Sequence, residues 1–108
     1  MADEAFEALG DPTRREVFRL LRNGERSVGE IAERLPVSRP AVSQHLRVLK
    51  QARLVNDRPD GVRRLYSVRR TGLDALRVEL ETMWDDALSA FANNADGDNS
   101  RDDTRSDQ

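Results

Sequence analysis

Two helix-start signals lie close together near the middle of this chain, and they constrain its fold more than any other feature. Ser27-Val28-Gly29-Glu30 has the S-x-x-E form of a capping box. It predicts a short helix that carries Val28, Ile31, Ala32 and Leu35 inward. Leu35-Pro36-Val37 interrupts that helix, and Ser38 is suited to cap the next one, because its hydroxyl can accept from an orphan amide of the first turn. Two capped helices joined by about three or four residues make a helix-turn-helix over 28–51. The same pattern also fits a helical corner in some other α-domain.

The second helix separates two faces. Val42, Leu46 and Leu49 fall at i, i+4 and i+7 and share an apolar stripe. Pro40, Ser43, Gln44 and Arg47 occupy the opposite stripe, and proline is tolerated that early in a helix. The outer side chains are short or able to donate and accept. That suits a helix pressed into a DNA major groove, where base edges display donors and acceptors.

Charge points the same way. The net charge of −2 conceals a block at 34–70 with 10 basic and 2 acidic side chains, while 1–33 carry 5 basic and 8 acidic ones. A positive strip displaces counterions from phosphates and supplies affinity regardless of sequence.

Outside the helix-turn-helix, Ala5, Phe6 and Leu9 predict a short first helix ending near Gly10. Asp11-Pro12 reads as an N-cap followed by a first-turn proline, opening a helix expected to end near Asn23-Gly24, with Gly24 as a left-handed cap. Residues 54–68 read as a β-hairpin, with Arg58-Pro59-Asp60-Gly61 as its turn chemistry. A basic hairpin after a helix-turn-helix makes a winged helix. Arg58, Arg63 and Arg64 are the wing side chains expected to reach phosphates or the minor groove, although either strand arginine could instead lie along the hairpin and cover Tyr66. A last helix is predicted over 72–92. Its stripe, Leu76, Leu80, Met83, Trp84, Leu88 and Phe91, is more apolar surface than a small core can bury. It is therefore expected to pack against a second copy, with Phe6 and Leu9 contributing; the alternative is a helix lying across its own domain. These elements define one domain over 1–92. Residues 93–108 lose the pattern and are expected to form a disordered acidic tail.

Several of these motifs, in this order and spacing, resemble ArsR-type winged-helix repressors. They are Phe6 to Arg14, Leu20-Leu21, Ser27 to Ala32, Val42-Ser43-Gln44-His45-Leu46 with Leu49, and Tyr66-Ser67-Val68. The resemblance spans about residues 3–90. It implies a homodimer that binds a pseudo-palindromic operator and often represses its own operon. The terminal helix, from Trp84 to Phe91, looks most like the metal-independent, autorepressing branch. Metal-sensing members place Cys pairs where this chain has Ser27 to Glu33, and others place His with acidic ligands along the terminal helix. This chain has no Cys and one His, so the resemblance carries no metal response over to it. Val62 follows the wing glycine where many members have Arg, and Arg63 is the natural substitute.

The expected fold is thus mostly α with a small β-hairpin: a winged helix-turn-helix, dimeric through its terminal helices. Its expected partners are double-stranded DNA and a second copy, together with a protein able to sequester the repressor. Ser38, Arg39, Pro40, Ser43, Gln44, His45 and Arg47 form the expected recognition surface. His45 lies beside the dry stripe and is read as a boundary residue that donates to a phosphate or a backbone carbonyl. No cofactor, metal or membrane insertion is expected, and the expected location is cytoplasmic. Without Cys, with a single His and without a glycine-rich phosphate loop, an enzyme is excluded. The competing reading is a winged-helix protein-interaction module that does not bind DNA.

Overall fold

A computed structural model describes residues 2–97, with side chains for 3–94. The first helices are α1 (Ala2–Ala8) and α2 (Pro12–Leu20). Asp11 caps α2 by accepting from the Arg14 amide at 3.0 Å, and that amide holds its carboxyl below the ordinary range. Arg14 and Arg15 reach back instead, donating to the carbonyls of Ala8 and Leu9 at 3.1 and 2.7 Å. The Asp-Pro-Thr-Arg-Arg run therefore ends one helix and starts the next.

Helix α2 stops at Leu20, earlier than its apolar pattern suggests. Tight turns follow, with Leu21 N–H bonded to Phe18 O and Gly24 N–H to Leu21 O. Gly24 has a positive φ of 135°, outside the left-handed helix-cap region. Apolar spacing cannot distinguish a last α-helical turn from 3₁₀-type turns, which explains the difference.

Next come β1 (Arg26–Ser27), α3 (Val28–Ala32) and α4 (Arg39–Gln51). The capping box at Ser27 is complete: Glu30 N–H donates to the Ser27 hydroxyl, and Ser27 N–H donates to the Glu30 carboxylate at 2.8 Å. Helix α4 packs against α1, α2 and α3. Val42, Leu46 and Leu49 are fully buried with Val17, Ile31, Leu54 and Val55, and Ala5, Ala8, Leu21, Ala52 and Leu76 complete the cluster.

The wing is β2 (Val55–Asp60) and β3 (Arg63–Val68). Asp60 pairs with Arg63, so the loop is Gly61-Val62, one step beyond the turn expected around Pro59. Gly61 has φ of 66° and Val62 stays at negative φ, which is the II′ pattern favoured in two-residue hairpins. Pro59 is then a strand residue, tolerated because β2 lies at the sheet edge. The sheet has a third strand that the sequence pattern does not announce: β1 pairs antiparallel with β3 through Arg26–Tyr66 and Ser27–Leu65, giving the order β1-β3-β2. The fold is a winged helix-turn-helix.

Helix α5 runs from Arg70 to Gly97, past the expected end at 92. Loss of an apolar stripe removes a reason to bury a face, but does not by itself end a helix. Within 93–108, the expected tail, residues 93–97 are helical and 98–108 lie outside the described residues. Residues through Leu76 form one compact unit, and those from Arg77 another. In the second unit Leu80, Met83, Trp84, Leu88 and Phe91 are all exposed, Trp84 by 66% and Phe91 by 72%. Leu76 instead belongs to the core of the first unit, where Phe6 and Leu9 are half-buried against it.

Candidate nucleic-acid interface

The buried stripe of α4 determines what its other face presents. Ser38 caps the helix by accepting from the Ala41 amide at 3.2 Å. With Val42, Leu46 and Leu49 locked inward, Arg39, Pro40, Gln44 and Arg47 are exposed and Ser43 is half-exposed. Gln44 and Arg47, one turn apart, are joined: the Arg47 Nη1 donates to Gln44 Oε1 at 2.6 Å. The pair offers the Gln44 amide donors and the rest of the guanidinium outward. A bidentate Gln–adenine contact uses both ends of the amide, and the second lone pair of Oε1 lets it accept from adenine while it still holds Arg47. His45 is half-buried, with Nδ1 enclosed and unpartnered.

The wing arginines do not share a face. Alternation puts Arg64 and Pro59 on the face with Tyr66 and Asp57, and puts Arg58, Arg63 and Asp60 on the face with Leu65. Each has a carboxylate partner in the free chain. Arg58 makes a two-pronged bond to Glu25, from Nε at 2.7 Å and from Nη2 at 2.8 Å. Those bonds raise the Arg58 pKa and lower that of Glu25. Leu65 is buried between Ser27 and Arg58 on that face. Arg63 pairs with Asp60 at 3.2 Å. Arg64 pairs with Asp57 at 2.8 Å, on Tyr66's face.

Asp57 does more than hold Arg64. It also accepts from Lys50 Nζ, in the last turn of α4, at 2.8 Å. Its side chain is only 10% exposed, and the hydrogen bonds from Lys50 and then Arg64 push its pKa below the ordinary value. One carboxylate thus ties α4 to the wing. The two-residue turn makes Asp57 and Arg64 diagonal neighbours, a relation that counting outward from Gly61 could have revealed. Nothing in the sequence points to Lys50 or to Glu25 as partners.

Between α3, the start of α4 and the hairpin lies a groove of about 570 Å³, lined among others by Gly29, Glu30, Glu33, Arg39, Arg63 and Arg64. Among the described residues, no group of three or more His, Cys, Asp or Glu side chains could hold a metal ion, and no helix is long and apolar enough to cross a membrane.

Comparison with known proteins shows the family. Residues 11–57 match the family model of bacterial regulatory proteins of the arsR family. The chain is 57% identical over 90 residues to the HTH-type transcriptional regulator Rv2034 of Mycobacterium tuberculosis, covering 83% of this chain and 84% of that one. It is 41% identical over 71 residues to the transcriptional repressor SdpR of Bacillus subtilis, covering 66% and 79% of the two chains. A crystal structure of a possible transcriptional regulator for arsenical resistance superposes with a TM-score of 0.71 at 42% identity, covering 83% of this chain and 94% of that one.

Proposed function

Because the chain belongs to the arsR family of bacterial regulatory proteins, we propose that it is a homodimeric repressor of transcription that reads a pseudo-palindromic operator without a metal signal. The observation that carries this reading is α4. One of its stripes is sealed in the core, the opposite one offers Gln44 and Arg47 to solvent, and Arg39 is exposed at the N-terminal end. Side chains of those types are the ones that pair with guanine, adenine and phosphate in a major groove. Ser38, Ser43 and His45 flank the surface, and the wing arginines add phosphate or minor-groove contacts after exchanging their carboxylate partners.

The second copy is supported by the exposed stripe of α5, since apolar side chains in such a row mark an interaction surface. The metal-free mode is supported by the donor set: the whole chain has no Cys and one His, so soft and imidazole ligands for Zn²⁺, Ni²⁺, Cd²⁺ or arsenite are missing. Control then comes through the amount of repressor or through a protein that sequesters it, in the cytoplasm where the operator lies.

The test is selection of duplexes from a randomised library by the full chain, followed by mobility shifts across a salt series. The expected result is an enriched inverted repeat whose half-sites lie about one helical turn apart, roughly 34–36 Å. Its binding should weaken with salt and be indifferent to micromolar metal. Failure to enrich any sequence overturns operator recognition, and metal-induced release reversed by a chelator overturns the metal-free mode.

A further inference from the structure

The arginines of this interface differ in what they are bound to. Arg58, Arg63 and Arg64 each hold a carboxylate, and Arg47 holds the Gln44 amide. Arg39, the first residue of α4, has no ion pair among the described residues, although Glu30 and Glu33 line the same groove. Packing holds it instead. A Cβ built on Gly29 would lie 2.8 Å from Arg39 Nη2, 3.1 Å from Cζ and 3.4 Å from Nη1. The guanidinium therefore lies against the bare α-carbon of Gly29, in the first turn of α3.

We infer that Gly29 is a positioning residue for DNA binding: the absence of its side chain seats the Arg39 guanidinium, which has no ion pair among the described residues, at the groove between α3 and the wing. Two consequences follow. A guanidinium seated in this way loses less rotamer freedom when it meets an acceptor on DNA. Its charge also needs no exchange of partners, unlike the charges of the wing. An added methyl at Gly29 displaces the far end of a flexible side chain and no backbone, so the fold tolerates it while the guanidinium loses its seat. Alanine is also the better helix former, which keeps α3 intact.

This inference rests on the reading of α4 as the DNA-reading helix, and the experiment separates the two. Wild type, Gly29→Ala, Arg39→Ala and the double variant are titrated into the duplex enriched by the wild-type chain and into a random duplex. Thermal unfolding is recorded for each variant. Gly29→Ala should melt no lower than wild type and bind the enriched duplex about three- to tenfold more weakly, the fold-change set by ordering one long side chain. Arg39→Ala should lose at least as much, and the double variant no more than Arg39→Ala. Weakening on both duplexes identifies a phosphate as the acceptor, and weakening on the enriched duplex alone identifies a base edge. Unchanged binding by Gly29→Ala, or a loss that persists undiminished in the Arg39→Ala background, overturns the inference while leaving operator recognition standing. Unchanged binding by Arg39→Ala overturns it together with any role for Arg39 in the interface. Relaxation of the Arg39 Nε–H in the unmodified chain gives a check that needs no variant: it should be more ordered than that of the exposed Arg34, and equal mobility overturns the proposal.

Discussion

Arg53 is the described non-glycine residue with positive φ, at 63°. It follows the Ala52 cap of α4 in the position that usually takes glycine. Leu54 N–H bonds to Leu49 O and Arg53 N–H to Lys50 O, the paired bonds of a Schellman motif, and Leu49 and Leu54 are both fully buried. That packing imposes the left-handed turn whatever residue occupies it. A left-handed L-residue costs about 1–2 kcal/mol, while glycine costs about 0.5–1 kcal/mol of extra chain entropy. Arg53→Gly is therefore expected to raise the stability by up to about 1 kcal/mol, read as an upward shift of the urea midpoint; a downward shift would show that the Arg53 side chain repays its backbone. Gln44 carries the corresponding prediction for binding. Gln44→Ala should cost about 1–3 kcal/mol on the selected duplex and little on random DNA. Equal losses on both would mean that Gln44 reads no base and that its bond to Arg47 matters only for positioning.

Among the elements, the wing has the most internal charge compensation, since Asp57, Arg58, Asp60, Arg63 and Arg64 all take part in ion pairs. Asp57 joins it to α4 through Lys50 and Arg64. Its folded pKa lies below the ordinary 3.8, so its contribution is complete above that value and is lost as pH falls through the lower, folded pKa. Stability of the wild type should thus decline on acidification from about pH 5 downward, and Asp57→Asn should flatten that acid limb; identical limbs for the two proteins would remove Asp57 from the linkage. In DNA binding, alanine at Arg58, Arg63 and Arg64 together should reduce the salt slope by about 0.9 for each phosphate that is no longer neutralised, and an unchanged slope would exclude the wing from the interface. What the sequence disclosed of these elements follows from range. Caps at Asp11, Ser27 and Ser38, and the period of Val42, Leu46 and Leu49, are local patterns with one physical outcome each, and they locate the helix-turn-helix. Strand β1 is two residues long, too short to show alternation, and exists because Ser27 and Leu65 meet across the fold. The Arg58–Glu25 bond spans 33 residues, and the seat of Arg39 depends on an atom that Gly29 lacks. Such relations belong to packing, and spacing along the chain does not encode them.

The molecule as a whole must solve a problem that its single helix-turn-helix cannot. One recognition helix covers too few base pairs for adequate specificity, and a two-fold operator needs a two-fold protein. For the dimer proposed above, the exposed apolar row of α5 is the surface to test. Leu80, Met83, Trp84, Leu88 and Phe91 stay exposed in the single chain, while Leu76, at the start of the same stripe, is already committed to its own core. From Leu80 to Phe91 the stripe runs roughly 16 Å along the helix axis. Trp84 lies near its middle, and large aromatics at interface centres often cost about 2 kcal/mol or more when truncated. Its position in the unit that begins at Arg77, outside the core of the first, makes its removal a test of association rather than of folding. Leu80→Ala with Trp84→Ala should leave the thermal transition of the winged helix in place and give a monomer in sedimentation velocity. Binding of the palindromic duplex should collapse toward the affinity of an isolated half-site. A wild-type chain that sediments as a monomer at tens of micromolar would overturn the dimer, and a double variant that still dimerises would move the interface away from α5 and leave its apolar row to another partner.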